Sequence, residues 1–324
     1  MLSHIVHRVL QSFGVLAVMS LLVFAGVYAV GNPMDILVNP QSDQSEIARA
    51  TAALGLDRPL FEQYFIFIGH AVTGDLGKSF AFNVPAIGLI LERMPATLEL
   101  ATAAMLIAVL LGIPLGLWAG LKPRSAAGRT IMAGSVLGFS LPTFWVGLML
   151  ILVFSVWLGW LPTSGRGPTV NLLGIPVSFL TAEGLRHLAL PAANLALFNL
   201  SLVIRLTRSG TREAIGQDYV RFARAKGLTE TRIVGVHVLR NVLVPVVTVV
   251  GVEFGSVIAF AVVTESIFAW PGMGKLLIDS INVLDRPVIV AYLCLVVALF
   301  VAINLLVDLA YSWLDPRVRP GATR

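Results

Sequence analysis

Long apolar stretches separated by shorter polar segments dominate the chain. A helix rises about 1.5 Å per residue, so about 20 mostly apolar residues cross a hydrocarbon core of roughly 30 Å. Six stretches are long enough: residues 9–30, 96–121, 130–157, 188–206, 242–264 and 287–313. The pattern therefore predicts an all-α polytopic membrane protein with six transmembrane helices.

The first stretch has a second interpretation. Val27-Tyr28-Ala29 resembles the small-residue cleavage site of a secretory signal peptide, and a basic start precedes it. The apolar run is longer than the roughly 7 to 15 residues of a signal-peptide core. We therefore favour a retained transmembrane helix over residues 1–30.

The composition supports a membrane class. Of the 324 residues, 57% are hydrophobic and 13% are charged, whereas soluble domains average roughly 45 to 50% apolar and about 25% charged residues. A net charge of +5 could indicate nucleic-acid binding, but basic loops of a membrane protein account for it, and we expect no nucleic-acid partner. The single cysteine, Cys294, lies in an apolar run, so one chain cannot build a disulfide framework or a cysteine-ligated metal site.

The basic residues are distributed unequally between the two sides of the predicted membrane. Fifteen of the 23 Lys and Arg residues fall in the first, third, fifth and last aqueous segments, eight of them between Arg205 and Arg240. The other side holds eight, but four of these lie in the long segment 31–94, which counts little because the positive-inside rule holds for short loops. The resulting ratio of 15 to 4 predicts that both termini face the cytoplasm.

Glycines and prolines predict how the helices pack and bend. Three groups of glycines recur at a four-residue spacing, which lets helix backbones approach closely. The groups are Gly112, Gly116 and Gly120; Gly134 and Gly138; and Gly251 and Gly255. Pro114, Pro142 and Pro191 lie inside or near the ends of spans, where they predict kinks.

Segment 31–94 is too long for a simple connector and mixes acidic and apolar residues with repeated Gly and Pro. We expect it to fold as a small extracytoplasmic cap between the first two helices. Gly77-Lys78-Ser79 looks like the end of a phosphate-binding loop, but the first glycine of G-x-x-x-x-G-K-[ST] would stand at Val72. No other stretch supplies this motif, so the chain is not expected to bind ATP in this way.

The longest predicted cytoplasmic loop, residues 208–240, carries the most specific pattern. It predicts two short helices, the first capped by Asp218 and ended by a left-handed Gly227, the second capped by Thr229. On the first helix an apolar face at helical spacing is surrounded by basic residues. The apolar face consists of Tyr219, Phe222 and Ala223, and the basic residues are Arg221, Arg224 and Lys226.

Physical reasoning leaves three interpretations of this amphipathic helix open. It could lie on anionic lipid headgroups, or pack against its own helix bundle. It could also dock into a groove on a soluble partner, with Tyr219 and Phe222 as anchors. Amphipathicity alone does not distinguish among the three.

The loop resembles the ATPase-coupling loop of ABC importer permeases, in the peptide and nickel branch of that family. The family pattern is an E-A-A-like helix, a glycine and a distal apolar residue, onto which Ala223, Gly227 and Leu239 fall. The peptide-permease version, D-Y-x-R-x-A-R-A-K-G-L followed by H-x-L-R-N, matches residues 218–228 and 237–241. The resemblance assigns the coupling role to Asp218, Tyr219, Arg221, Phe222, Ala223, Arg224, Ala225, Lys226, Gly227 and Leu228.

Further matches extend along nearly the whole chain. Residues 54–59 and 74–79 resemble the outer segment of dipeptide permeases, residues 264–274 resemble the outer loop before the last span, and residues 304–308 resemble the last span itself. Each string is short, but their order and spacing together make the chain similar to the dipeptide permeases.

The resemblance implies the type I permease fold of ABC importers, with six transmembrane helices in four parts. These are an N-terminal helix (1–30), an extracytoplasmic segment (31–94), a permease core (95–313, with the coupling loop at 208–240) and a cytoplasmic tail (314–324). It also implies a multi-pass subunit of the bacterial inner membrane that transports di- or oligopeptides and is not an enzyme. Dipeptides, longer peptides, glutathione and nickel chelates all stay open as substrates.

The same resemblance implies the partners. They are a second related permease, two cytoplasmic ABC ATPase subunits, an extracytoplasmic substrate-binding protein and membrane lipid. No cofactor is expected in this chain, because ATP and Mg would be bound by the ATPase subunits. ATP binding would draw the two docked coupling helices together, so that the spans rock and a central cavity changes sides.

Two other classes of function fit the residues less well. A secondary transporter or channel usually carries intramembrane acid or histidine relays, or broken helices in inverted repeats. The obvious intramembrane acids here are Glu253 and Asp308, with Glu99 near a span end, and the halves of the sequence do not repeat. A membrane hydrolase is disfavoured because Ser140 does not fit G-x-S-x-G.

Glu253, near the middle of the fifth predicted span, supports two hypotheses. The structural one is an ion pair with the second permease, or a protonated carboxyl that is hydrogen-bonded to backbone. The functional one is that Glu253 lines the translocation path and attracts the ammonium end of a passing peptide.

Overall fold

The structure is a computed structural model that describes residues 2–29 and 57–314. The helices are α1 (Leu2–Ala29), α2 (Leu60–Thr73), α3 (Ala86–Leu121), α4 (Ala126–Ser140), α5 (Thr143–Leu150), α6 (Ala182–Ile215), α7 (Asp218–Ala225), α8 (Glu230–Arg232), α9 (Leu239–Ile267), α10 (Met273–Asn282) and α11 (Arg286–Leu314). Two π-helical segments, Ile151–Trp157 and Ile233–Val238, continue α5 and join α8 to α9. One antiparallel hairpin pairs β1 (Val170–Leu172) with β2 (Ile175–Val177).

The helices confirm an all-α membrane protein. Among the described residues, five helical stretches are long and apolar enough to cross a membrane, and α4 with the helix that starts at α5 would make a sixth if they form one span. These two halves meet at 109°, which breaks the predicted third span, 130–157, near its middle. The number of crossings therefore stays a prediction.

Pro142 accounts for this break. Proline has no N–H for the helical ladder and disfavours a helical backbone in the residue before it. Accordingly, Leu141 is extended, and Pro142 stands at the N-cap position of α5. Helices α3 and α6 run without interruption through Pro114 and Pro191, so kinks at those two prolines stay predictions.

The chain forms two compact units. The first contains the described parts of residues 1–94 and 272–324, and the second comprises residues 95–271. In the first unit α1 and α10 both pack against α11. The segment before α3 is held there by Asp285, which is buried and accepts hydrogen bonds from the Ser79 hydroxyl and from the Phe80 N–H at 3.0 Å.

The second unit is built around α6, which contacts α4, α5 and α9. One predicted glycine seam is confirmed there, because Gly112, Gly116 and Gly120 lie against α6. A Cβ added at Gly116 would stand 2.6 Å from the Thr207 Cβ and 2.8 Å from the Ile204 carbonyl oxygen. The backbones are therefore too close for any side chain at this position. A Cβ at Gly134, by contrast, would meet nothing within 4 Å.

A buried carboxylate fixes the loop that carries the hairpin. Glu99, in α3, accepts hydrogen bonds of 2.8 Å from the backbone N–H groups of Ser178 and Phe179 and from the Ser178 hydroxyl. Its second oxygen pairs with Arg166, whose side chain is 10% exposed. Both carboxylate oxygens are thereby engaged, so Glu99 fixes this loop to α3.

Candidate functional site

Helix α6 delivers the chain to the predicted coupling loop. It runs to Ile215, well past the predicted span end at 206, so the irregular part of the loop is shorter than expected. The N-cap position of α7 is Gln217, and its side chain makes no capping bond. The prediction that Asp218 caps this helix was therefore wrong. Asp218 lies in the first turn, where a carboxylate stabilises the positive end of the helix dipole.

Gly227 ends α7 as predicted. Its φ is +76°, its N–H donates to the Arg224 carbonyl at 2.9 Å, and the Leu228 N–H donates to the Ala223 carbonyl at 3.3 Å. These two bonds form the Schellman arrangement, which requires a left-handed residue at this point. A Cβ added at Gly227 would meet nothing within 4 Å, so only the backbone conformation demands glycine.

The second predicted short helix is not separate. Thr229 stands at the N-cap position of α8 as expected, although its side chain makes no capping bond. From Glu230 the helix continues through the π-helical segment into α9 and reaches Ile267. A π-helical segment accommodates an extra residue within a helix and is often found at functional sites.

An apolar base lies beneath α7. Val220 and Ala223 are buried together with Ile233 and Val238 of the π-helical segment and Val242 of α9. Ala223 was predicted to share one apolar face with Tyr219 and Phe222, whereas the structure buries it under the helix. Ala223 follows Val220 by three positions, so the two share one face. The burial of Val220 was not predicted, although its three-residue spacing from Ala223 could have indicated a shared apolar face.

The other sides of α7 are exposed. Phe222 is 63% exposed and Tyr219 is 39% exposed. The Lys226 ammonium lies 4.6 Å from the centre of the Phe222 ring, within the range of a cation–π contact. The Asn241 amide donates to the Tyr219 hydroxyl at 3.1 Å and thereby ties that ring to α9. Arg221, Ala225 and Asp218 are exposed on the same helix.

An ion pair closes the turn after α7. Arg224 donates two hydrogen bonds to the Glu230 carboxylate, at 2.7 and 3.2 Å. The hydrogen bond to Glu230, and then the charge of that carboxylate, raise the pKa of Arg224 above its ordinary value. Both side chains are solvent-exposed, so the pair contributes more to the orientation of the turn than to stability.

Glu253 lies in α9, apart from the loop. It is half-buried, and no basic side chain in the described part of the chain forms an ion pair with it. Val252 before it and Phe260, two turns later on the same face, are exposed. The Glu253 carboxyl therefore lies at the edge of an apolar surface of α9 that no other part of the described chain covers.

Taken together, the loop presents an aromatic and cationic surface on a packed apolar base. Exposed aromatic and Arg side chains are the residues that dominate binding in protein interfaces. No group of three or more His, Cys, Asp and Glu side chains within 2–29 and 57–314 is arranged to hold a metal ion.

Two family models match the chain. Residues 112–320 match the "Binding-protein-dependent transport system inner membrane component", and residues 1–101 match the N-terminal region of such membrane components. A solved structure of the MetNI methionine ABC transporter in inward-facing conformations has a similar fold, with a TM-score of 0.52 and 16% identity over 73% of this chain and 99% of that chain.

Several bacterial transport proteins are similar in sequence. The di/tripeptide transport system permease protein DppB of Pseudomonas aeruginosa is 41% identical over 314 residues, which are 93% of this chain and 94% of that protein. The dipeptide transport system permease protein DppB of Escherichia coli K12 is 39% identical over the same shares. The glutathione transport system permease protein GsiC of Escherichia coli is 37% identical over 98% of this chain and 99% of that protein.

Proposed function

The chain belongs to the family of binding-protein-dependent transport system inner membrane components, and we propose that it forms, with a second related permease, the path for di- and oligopeptides across the bacterial inner membrane. It is a transport subunit of an ABC importer and not an enzyme. Peptides are favoured because residues 54–59 and 74–79 resemble the outer segment of dipeptide permeases. The names of the similar proteins in Pseudomonas aeruginosa and Escherichia coli K12 support the same substrate class.

In this proposal, partner subunits supply the energy for transport. Two cytoplasmic ATPase subunits bind ATP and Mg, and an extracytoplasmic binding protein delivers the peptide. The ratio of 15 to 4 basic residues supports an orientation with both termini and α7 in the cytoplasm. The division into an N-terminal helix (1–30), an extracytoplasmic segment (31–94), a permease core (95–313) and a tail (314–324) belongs to the same proposal; residues 30–56 and 315–324 lie outside the described part.

Coupling is assigned to α7. The exposed side, with Phe222, Tyr219 and Arg221, docks into a groove of an ATPase subunit. The buried side transmits the movement, because Val220 packs against the start of one continuous helix that extends from Glu230 to Ile267. When ATP closes the ATPase dimer, the docked helix is displaced and that long helix moves with it. Nucleotide must therefore bind one arrangement of the spans more tightly than the other.

The exposed Phe222 on a buried base is the observation that carries this proposal. The anchor of an interface usually contributes 2 kcal/mol or more, which is about a 30-fold change in affinity. We expect Phe222→Ala to leave the permease in the membrane but to release the ATPase subunits during co-purification and to abolish peptide-stimulated ATP hydrolysis in proteoliposomes. The matched control is Thr231→Ala, an exposed substitution in the same loop, which should retain both.

Two results would contradict the proposal. Retention of the ATPases by Phe222→Ala, with normal hydrolysis, would show that α7 is not the docking element. Normal coupling with no uptake of binding-protein-delivered dipeptides, but with uptake of glutathione or a nickel chelate, would show that the substrate class is wrong.

A further inference from the structure

Helix α2 packs against a part of α1 that is itself apolar. The Tyr64 hydroxyl lies 2.9 Å from the Ser20 hydroxyl, and the Tyr64 and Phe67 rings contact the Phe24 ring, with centroids 5.4 and 5.8 Å apart. The apolar window of α1 extends from Val9 to Gly26. Ser20 is therefore about 9 Å inside the end of this window, at about 1.5 Å per residue.

This contact places α2 at the depth of the bilayer. If α1 crosses the membrane, Tyr64 stands beside the hydrocarbon portion of α1 and not above it. The 14 residues of α2 extend about 21 Å, which is too short to cross a core of roughly 30 Å. An apolar helix of this length is a buried core helix, a re-entrant segment or an interfacial helix.

The faces of α2 are divided as an interfacial helix requires. Phe61, Phe65 and Val72 follow one another at spacings of four and seven residues, so they form one stripe. Their exposed fractions are 64, 68 and 83%, and α1 covers none of them because it contacts the Tyr64 side. We call these three residues the α2 stripe.

The polar side chains lie on another side of the helix. Thr73 and His70 lie progressively further round the helix from the stripe, and His70, nearly opposite it, is 57% exposed. The helix ends at Gly74 in a left-handed conformation, and His70 pairs with Asp75 at 3.5 Å just beyond it. Water therefore has access to one side of α2, while the other exposed side offers aromatic and aliphatic surface.

We propose that α2 is an interfacial helix whose stripe is buried among lipid acyl chains, in the leaflet where α1 ends. The occupant of the stripe is lipid, because α2 is held beside the apolar window of α1, where Leu21 and Leu22 are exposed as well. This refines the expectation of a small extracytoplasmic cap for residues 60–73. The helix anchors the outer segment in the membrane, and this inference depends on α1 crossing the membrane but not on peptide transport.

The test uses the complete transporter, with both permeases and both ATPases, in nanodiscs. Cys294→Ala removes the native cysteine, and single cysteines are then introduced by Phe65→Cys in the stripe, His70→Cys on the polar side and Leu22→Cys in α1. Each is labelled with a small environment-sensitive fluorophore. Quenching is measured with lipids brominated on the acyl chain and with aqueous iodide.

We expect brominated lipid to reduce the fluorescence at positions 65 and 22 at least twofold, with little effect of iodide. At position 70 iodide should quench and brominated lipid should not. Iodide quenching at position 65 would identify a water-exposed cap and overturn the proposal. Protection of position 65 from both quenchers would assign the stripe to protein, such as the second permease, and would overturn it as well.

Two further arms keep the test decisive. If the Phe65→Cys complex does not assemble, Val72→Cys reports on the same stripe and carries the same expectation. If lipid fails to quench at position 22, α1 is not a lipid-facing span and the proposal fails at its premise. None of these outcomes depends on which substrate is transported, so a wrong substrate assignment would leave the result unchanged.

Discussion

Replacing Gly227 with valine should uncouple the permease without unfolding it. Gly227 has φ at +76°, a region that L-residues reach at a cost of roughly 1 to 2 kcal/mol. A Cβ there would meet nothing within 4 Å, so backbone strain is the main effect. A β-branched side chain lies at the upper end of that range.

The strain changes how often the turn is formed. A penalty of roughly 1 to 2 kcal/mol reduces a conformation's population relative to its alternatives about 5- to 30-fold. The alternatives lose the two Schellman hydrogen bonds, to the carbonyls of Ala223 and Arg224, and the end of α7 then points in another direction. In the proposed coupling, ATPase docking depends on that direction, whereas membrane insertion does not.

The assay compares four proteins in proteoliposomes with the ATPase subunits and the binding protein. Gly227→Val should reduce peptide-stimulated ATP hydrolysis at least fivefold with normal amounts of inserted permease. Gly227→Asn should retain most activity, because Asn reaches the left-handed region more readily than other residues. Gly235→Ala is the matched control, since Gly235 is an exposed glycine of the same loop with nothing within 4 Å and without a positive φ.

The comparison between valine and asparagine decides the interpretation. If both variants lose coupling equally, the strain argument fails and the loss has another origin. If Gly227→Val transports normally, the loop is only a linker between α6 and α9, and α7 is not a coupling element.

Three further predictions concern packing, a buried ion pair and the translocation path. Gly116→Leu should destabilise the detergent-solubilised permease by at least about 1 to 3 kcal/mol through overpacking against α6, measured as a lower melting temperature. Gly134→Leu is the control and should not lower it, because a Cβ at Gly134 would meet nothing within 4 Å. Arg166→Ala should lower the free energy of unfolding by about 3 to 5 kcal/mol, because it leaves the buried carboxylate in α3 without a charge partner. Arg186→Ala removes an exposed ion pair of 3.1 Å and should lower it by about 1 kcal/mol or less. Equal losses in the same melting assay would refute this contrast. Glu253→Gln should preserve assembly and basal ATP hydrolysis but slow uptake of peptides with a free amino terminus more than uptake of acetylated peptides, and equal slowing of both would return Glu253 to a structural role.

Local features of the sequence were sufficient for several elements of this protein. The membrane spans follow from apolar length, because only a helix satisfies its own backbone groups in lipid. The left-handed turn after α7 follows from Gly227, since this conformation excludes most other residues. The tight contact between α3 and α6 follows from the spacing of Gly116 and its neighbours, because small residues at four-residue intervals line one face of a helix.

Tertiary structure decided what local patterns left open. Pro142 predicted a bend, but only packing set it at 109°, because a missing hydrogen bond permits many angles. Both sides of α7 carry apolar residues, and the side of Val220 is buried because Ile233, thirteen residues later in the chain, lies beneath it. The partner of Glu99 was undetermined because Arg166 is distant in sequence, and only the fold brings two such charges into contact. The position of α2 beside α1 likewise depends on the Ser20–Tyr64 contact. This contact joins residues far apart in sequence, so the pattern of apolar residues could not predict it.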